Sequence, residues 1–174
     1  SNGIAANFTE SYMRRRDPDT MAIADDFPTD KELFESKFGY QFDSLKNETF
    51  EWLKGQDLAV FLYFAGRENI GVGGIAIAPV NAAFFAMALA MLQVMVPTND
   101  IPANFNIDSV IYVAPTFRHT HFDGKQIVVH NRVEDRHDIF AYNLYPGPSA
   151  KKGLYGALLT KGEKEGWITA HCST

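Results

Sequence analysis

Two stretches of this 174-residue sequence concentrate side chains that could bind or transform a charged small molecule. The first, residues 12–19, reads Tyr-Met-Arg-Arg-Arg-Asp-Pro-Asp. Arginine has a planar, permanently charged guanidinium group that suits carboxylates and phosphates. Three consecutive arginines cannot all point in one direction, so only part of the run can face a common ligand. A solvent-exposed basic turn, neutralised by Asp17 and Asp19, is the alternative interpretation of the same residues.

The second stretch is the C-terminal third, which holds every histidine of the chain. These are His119, His121, His130, His137 and His171. Side chains two positions apart in a strand share one face, so His119 and His121 could serve one metal ion. The alternative is a pair of hydrogen-bonded surface histidines beside the Asp-Gly turn that follows them.

Two further segments of the C-terminal third carry adjacent lysines and the last histidine. Residues 145–153 read Tyr-Pro-Gly-Pro-Ser-Ala-Lys-Lys-Gly, and residues 166–173 read Gly-Trp-Ile-Thr-Ala-His-Cys-Ser. Two lysines after a Pro/Gly loop are commonly just exposed charge. Cys172 would point to the face of a strand opposite to His171, which favours a core thiol over a nucleophile.

These segments resemble the site motifs of phosphoenolpyruvate carboxykinases. Residues 145–153 are similar to the family motif Tyr-x-Gly-Glu-x-Lys-Lys-Gly, and residues 171–173 to the start of its His-Cys-Ser-Ala segment. In the ATP-dependent members the second lysine and the histidine are metal ligands nineteen residues apart, the separation of Lys152 and His171. Residues 16–23 are similar to the Arg-Ser-Pro-Lys-Asp-Lys-x-Ile stretch, and residues 117–118 to a Phe-Arg pair. As a whole, the sequence resembles a bacterial group of carboxykinase-like proteins more than it resembles the established enzymes.

The resemblance implies a reaction and a role for each matched residue. The reaction is decarboxylation of oxaloacetate or a related acid and phosphoryl transfer from a nucleotide, as in gluconeogenesis. Arg16 would hold the substrate carboxylate, and Tyr145 would lie against a carboxylate or CO2. Lys151 would face a phosphate or the enolate. Lys152 and His171, both neutral, would bind a divalent metal, Mn2+ or Mg2+.

The sequence also departs from the family pattern in ways that bear on function. It contains no Gly-x-x-x-x-Gly-Lys-Ser/Thr motif, and the glycines of residues 71–74 are not followed by a lysine. The resemblance therefore implies that residues 4–174 form an N-terminal, substrate-side domain. On this interpretation residues 1–3 are a tag remnant, and this chain alone is inactive. ATP or GTP would bind only with a further nucleotide-binding domain as partner.

Two other departures keep a second function class open. The loop before Lys151 is one residue longer than in the enzymes, and the run after Arg16 has lost its positive charges. A non-catalytic binding or regulatory domain that retains the carboxykinase fold is the alternative interpretation.

Composition excludes several other classes. The formal net charge of −5 and the isoelectric point near 5.5 argue against a general nucleic-acid binder, which needs a basic surface. A single cysteine rules out an intrachain disulfide and favours the cytoplasm. Residues 69–99 carry no charge, a length that could span a membrane. Glycines, Pro79 and Asn81 interrupt this stretch, so we expect it to form the core rather than cross a membrane.

Hydrophobic patterning predicts an α/β fold with a mixed β-sheet and flanking helices, which resembles the N-terminal domain of phosphoenolpyruvate carboxykinase. Residues 58–64 are apolar throughout, which predicts a central strand covered on both faces. A Thr-x-x-Glu capping box at residues 29–32 predicts a helix reaching about Phe38. The other predicted strands are residues 20–25, 75–78, 110–113, 126–131, 139–145 and 167–172. The other predicted helices lie around residues 45–55, at 81–95 and within 149–165, and Asp-Gly at residues 123–124 predicts a hairpin turn.

Overall fold

One mixed β-sheet organises the computed structural model, which describes residues 21–67, 70–82, 94–114, 126–133, 135–143 and 156–168. Its strands are β1 (Met21–Ile23), β2 (Leu58–Arg67), β3 (Ile70–Pro79), β4 (Val94–Val96), β5 (Ser109–Ala114), β6 (Ile127–Val133) and β7 (Arg136–Tyr142). The strand order within the described residues is β1-β6-β7-β5-β3-β2-β4. Strand β5 runs parallel to β3 and β7, and β1 runs parallel to β6, whereas the other neighbouring pairs are antiparallel. The predicted α/β fold with a mixed sheet is confirmed.

Helices α1 (Phe34–Phe38) and α2 (Phe42–Lys54) cover one half of one sheet face. Their buried side chains pack with Phe140 and Tyr142 of β7 in one aromatic cluster, where the Phe42 and Phe140 rings lie 5.0 Å apart. The Tyr142 hydroxyl is hydrogen-bonded to the Thr49 hydroxyl at 2.7 Å. The opposite face carries a second core cluster around Tyr63 and Ile111. Strands β5 and β7 are therefore buried on both sides, as parallel strands usually are.

The predicted capping box at residues 29–32 is wrong. The Thr29 hydroxyl accepts a hydrogen bond from the backbone N–H of Lys31 at 3.1 Å, but α1 begins at Phe34 after Leu33. The physical reason is pairing with β1: the Ile23 N–H donates to the Glu32 carbonyl, and Leu33 forms a bridge with Ile23. This pairing keeps the chain extended through Leu33. The second predicted helix is confirmed as α2, which ends immediately before Gly55.

Strand β2 is not the central, doubly covered strand that its composition predicts. It lies beside β4, which is the outermost strand on that side among the described residues. On the face that carries α1 and α2, beyond the half that these helices cover, Leu58 is 40% and Val60 is 56% exposed, whereas Tyr63 and Ala65 on the other face are buried. An uninterrupted apolar run shows only that no position of the strand carries a charge. It does not distinguish a strand that is buried on one face from a strand that is buried on both.

The helix predicted for residues 81–95 is wrong at its C-terminal end. Val94–Val96 form β4 and pair with residues 62–64 of β2 in the antiparallel direction. A short 3-10 helix, Val80–Ala82, follows Pro79, and residues 83–93 lie outside the described residues. Pairing with β2 outweighs the helical preference of the Met95 region. In the part of the chain that the structure describes, no helix is long and apolar enough to cross a membrane.

The C-terminal strands follow the prediction with shifted bounds. Strand β6 lies within one or two residues of the predicted strand at 126–131, and β7 begins three residues earlier than predicted, at Arg136. Residues 156–164 form α3, as predicted. The strand predicted for residues 167–172 is wrong at Trp167 and Ile168, because the Trp167 N–H donates to the Gly162 carbonyl and ends the helix. The remainder of that strand and the predicted turn at residues 123–124 lie outside the described residues.

Candidate functional site

The residues predicted to carry the chemistry all lie outside the described residues. They are Arg16, Tyr145, Lys151, Lys152 and His171, together with Phe117, Arg118, His119, His121 and Cys172. The structure describes the residues next to these segments, and those next to the segments of Arg16, residues 117–118 and Tyr145 belong to the sheet or directly follow one of its strands.

Two of the flanking residues, Ala114 and Asn143, lie next to each other at one edge of the sheet. Strand β5 ends at Ala114, which is opposite Tyr142 at the end of β7. The next residue, Asn143, donates its backbone N–H to the Ala114 carbonyl at 3.0 Å. We call this side of the sheet the carboxyl edge, because the parallel strands β5 and β7 both end there.

The N-terminal flank reaches the same carboxyl edge. Met21 of β1 pairs with Val128 of β6, which pairs with Ala141 of β7. With strands spaced about 4.8 Å apart, Met21 lies about 10 Å from the end of β7. The described residues next to the segments of Arg16, residues 117–118 and Tyr145 therefore all lie at the carboxyl edge, a grouping that the separate sequence motifs alone did not establish.

A buried pair of histidines lies beneath the first described residues of α3. His130 Nδ1 and His137 Nε2 are 2.9 Å apart, and both side chains are at least 95% buried. A Cβ atom added to Gly156 would come 3.4 Å from His130 Cε1, an ordinary van der Waals distance, so the start of the described part of α3 lies directly against the pair. The described residues offer no hydrogen-bond partner to the outer nitrogens, His130 Nε2 and His137 Nδ1.

Both histidines are held neutral by their surroundings. Burial, with the nearby Arg132 guanidinium, lowers the pKa of His130 to about 4. Burial, with His130 and more distant cations, lowers the pKa of His137 to about 3. The short contact also requires one ring to donate and the other to accept, so the two rings are not both protonated. The arrangement suits a structural support better than a proton carrier near neutral pH.

The histidine pair was missed by the sequence reasoning, which singled out His119 and His121. The signal lies in the register of the β6–β7 hairpin, where Val133 is opposite Arg136. This register places His130 opposite Ile139 and makes His137 its diagonal neighbour on the same face. The sequence predicted that this strand begins at Ile139 and not at Arg136. It therefore did not reveal that His130 and His137 are neighbours.

A charged cluster occupies the opposite edge of the sheet, where β5 begins. Asp108 accepts hydrogen bonds from the Gly73 N–H and from Lys161 Nζ, both at 3.1 Å. Lys161 Nζ lies 3.8 Å from a carboxylate oxygen of Glu165. No group of three or more histidine, cysteine, aspartate or glutamate residues that could hold a metal ion occurs among the described residues.

Comparison with known proteins gives one family assignment. The family model described as "Domain of unknown function (DUF4914)" matches residues 1–174. Among curated proteins, none matches the chain. Because the match extends over far more than half of the sequence, the chain belongs to the DUF4914 family.

Proposed function

We propose that this chain is the substrate- and metal-binding domain of a nucleotide-dependent, phosphoenolpyruvate carboxykinase-like enzyme. Its substrate would be oxaloacetate or a related small carboxylic acid, and its fold would be that of the carboxykinase N-terminal domain. The nucleotide, ATP or GTP, would be bound by a partner domain, because this sequence has no phosphate-binding loop motif. The proposal rests on the motif resemblance and on one structural observation.

That observation is the grouping of flanks at the carboxyl edge. Met21 of β1, Ala114 of β5 and Asn143, which follows β7, are distant in sequence, yet each lies within or near a segment that resembles a carboxykinase motif. Open α/β sheets bind ligands at the carboxyl ends of their parallel strands. The grouping supports a common site for the segments of Arg16, residues 117–118 and Tyr145.

The proposed roles follow from the chemistry of each side chain. Arg16 would bind a substrate carboxylate through its two parallel N–H groups, and Tyr145 would orient that group. Lys151 would stay charged and neutralise a transferring phosphate. A divalent metal, when bound, supplies Lewis-acid stabilisation of the negative charge that develops on the reacting acid. Lys152 and His171 would hold that metal, and the positive charge of Lys151 would favour the neutral form of Lys152.

We expect the 174-residue protein to bind Mn2+ and to lose that binding when a proposed ligand is removed. Titration calorimetry with Mn2+ should give weaker affinity in Lys152→Ala and His171→Ala by at least about tenfold, an effect that even outer-shell changes produce. Lowering the pH should weaken binding to the wild type, because protonation of either nitrogen removes a ligand.

The matched control is His119→Ala, which removes a histidine of the same C-terminal third without touching the proposed ligands. It should bind Mn2+ like the wild type. Equal binding by the wild type and His171→Ala, with loss in His119→Ala, would reject the assignment of His171. Absence of Mn2+ binding in the wild type would contradict the metal-binding function and favour a non-catalytic domain.

A further inference from the structure

A cavity of about 530 Å³ lies at the sheet edge opposite to the carboxyl edge. It lies between β2, β3 and β4 on one side and residues 102–108 on the other, and α3 contributes Lys161 near its end. Binding sites for small molecules have volumes of about 300–1,000 Å³, so the cavity is of ligand size. It shares no residue with the segments assigned to the carboxykinase-like site.

Glycines and aromatic rings shape the apolar part of this cavity. A Cβ atom added to Gly71 would come 2.6 Å from Cζ of Phe64, so the Phe64 ring occupies the space a side chain would need. A Cβ atom added to Gly73 would come 2.3 Å from the Asn106 carbonyl oxygen and 3.1 Å from Cε2 of Phe105. Glycine within a strand lowers stability, and it marks places where another group approaches the backbone closely. The two phenyl rings form apolar walls that the glycines make room for.

The polar end of the cavity carries a net negative charge. The charged residues lining the cavity are Asp108, Lys161 and Glu165, which gives two carboxylates for one ammonium group. Asp108 is the better satisfied carboxylate, since it accepts from Lys161 Nζ and from the Gly73 N–H. Glu165 is 46% exposed, and its 3.8 Å separation from Lys161 Nζ is longer than a hydrogen bond. Glu165 can therefore accept hydrogen bonds from a ligand.

We propose that this cavity binds a small organic ammonium ion with an apolar body. The apolar body would lie between Phe64 and Phe105, whose ring faces attract cations as well as apolar groups. The ammonium group would pair with the Glu165 carboxylate at the polar end. An anionic ligand would instead meet the excess negative charge of Asp108 and Glu165.

Three probes with similar bodies test the proposal on the 174-residue protein. They are 2-phenylethylamine, the neutral 2-phenylethanol and the anionic 3-phenylpropionate. In 15N–1H correlation spectra, the amine should shift the amide signals of Gly71, Gly73 and Asn106. Its affinity should exceed that of 3-phenylpropionate by about fivefold, the upper end of the range for a partly exposed charge pair. Equal binding of the amine and the acid, or shifts confined to residues outside the cavity, would overturn the proposal.

A matched pair of variants tests the role of Glu165. Glu165→Gln keeps the size of the side chain and removes its charge, and should weaken amine binding by about threefold or more. Glu163→Gln makes the same change at an exposed position on α3 outside the cavity lining, and should bind the amine like the wild type. Equal amine affinity of Glu165→Gln and the wild type would overturn the assignment.

Discussion

Replacing Arg132 with methionine is expected to lower the free energy of unfolding by about 3–5 kcal/mol, the cost of leaving a buried charge without its partner. The Asp25 side chain is 5% exposed and the Arg132 side chain 13% exposed. Arg132 Nε and one terminal nitrogen donate to the Asp25 carboxylate at 2.7–3.1 Å. Methionine retains the apolar stem of arginine but none of its side-chain donors.

The Asp25–Arg132 pair connects elements that the chain order keeps far apart. Asp25 follows β1, whereas Arg132 is near the end of β6, and the same carboxylate also accepts the Arg132 and Phe27 backbone N–H groups. Arg132 further donates to the Phe27 carbonyl, and its guanidinium lies 5.2 Å from the centre of the Phe27 ring. Loss of the guanidinium therefore weakens the attachment of β1 at the end of the sheet, besides leaving Asp25 without its cation.

Urea unfolding of Arg132→Met and of a matched surface variant measures this effect. Lys46→Met removes the partner of Asp43 in an ion pair on the exposed side of α2, and should change stability by about 0.5 kcal/mol or less. The double variant Asp25→Asn, Arg132→Met should lose less unfolding free energy than the sum of the losses in the two single variants, because it removes both charges. A loss below about 1 kcal/mol in Arg132→Met would contradict a tightly coupled pair.

The second large effect is a loss of stability in acid caused by the His130–His137 pair. An unfolded histidine has a pKa near 6.5, whereas the folded pKa values are lowered to about 4 and about 3. Below pH 6.5 the unfolded chain therefore binds protons that the folded pair does not. Stability contributed by the pair is present above pH 6.5 and falls as the pH drops towards 4. Between pH 6.5 and about pH 5, both histidines together should lower the unfolding free energy by about 3 kcal/mol.

Urea unfolding at the two pH values tests this in the wild type and in His137→Gln. Glutamine can still bond to His130 Nδ1 but does not titrate, so the acid-induced loss should shrink by about half. His130→Gln should give the same reduction from the other side of the pair. If both variants lose as much stability as the wild type over this range, the histidines are not the groups that titrate.

Strong local patterns predicted most of the sheet but not the way that it is covered. The apolar runs around Val110, Val128 and Ile139 identified three adjacent strands, since parallel or doubly covered strands need continuous apolar residues. The same kind of pattern misled for residues 58–64, because the position of β2 next to β4 depends on pairing between distant segments. Long-range pairing also placed Val94 in a strand, although the sequence predicts a helix over residues 81–95.

The candidate site was predictable only in part, for a physical reason. Arg16 and Tyr145 were selected by the chemistry of their motifs, which is local in sequence. That the described residues next to their segments lie at one edge depends on the order of β1, β6, β7 and β5, which no local pattern encodes. The charged cluster at Asp108 escaped notice for the same cause, since Lys161 is distant in sequence and reaches it only through the packing of α3.

Paramagnetic broadening of backbone amide signals by Mn2+ tests most directly whether the proposed site lies at the carboxyl edge. The two ends of β5 are about 17–20 Å apart at about 3.3 Å per residue, so the two edges are well separated. We expect Mn2+ to broaden the signals of Met21, Ala114 and Asn143 first, and His171→Ala to abolish this effect. Broadening that begins instead at Asp108 and Glu165 would contradict a metal site at the carboxyl edge.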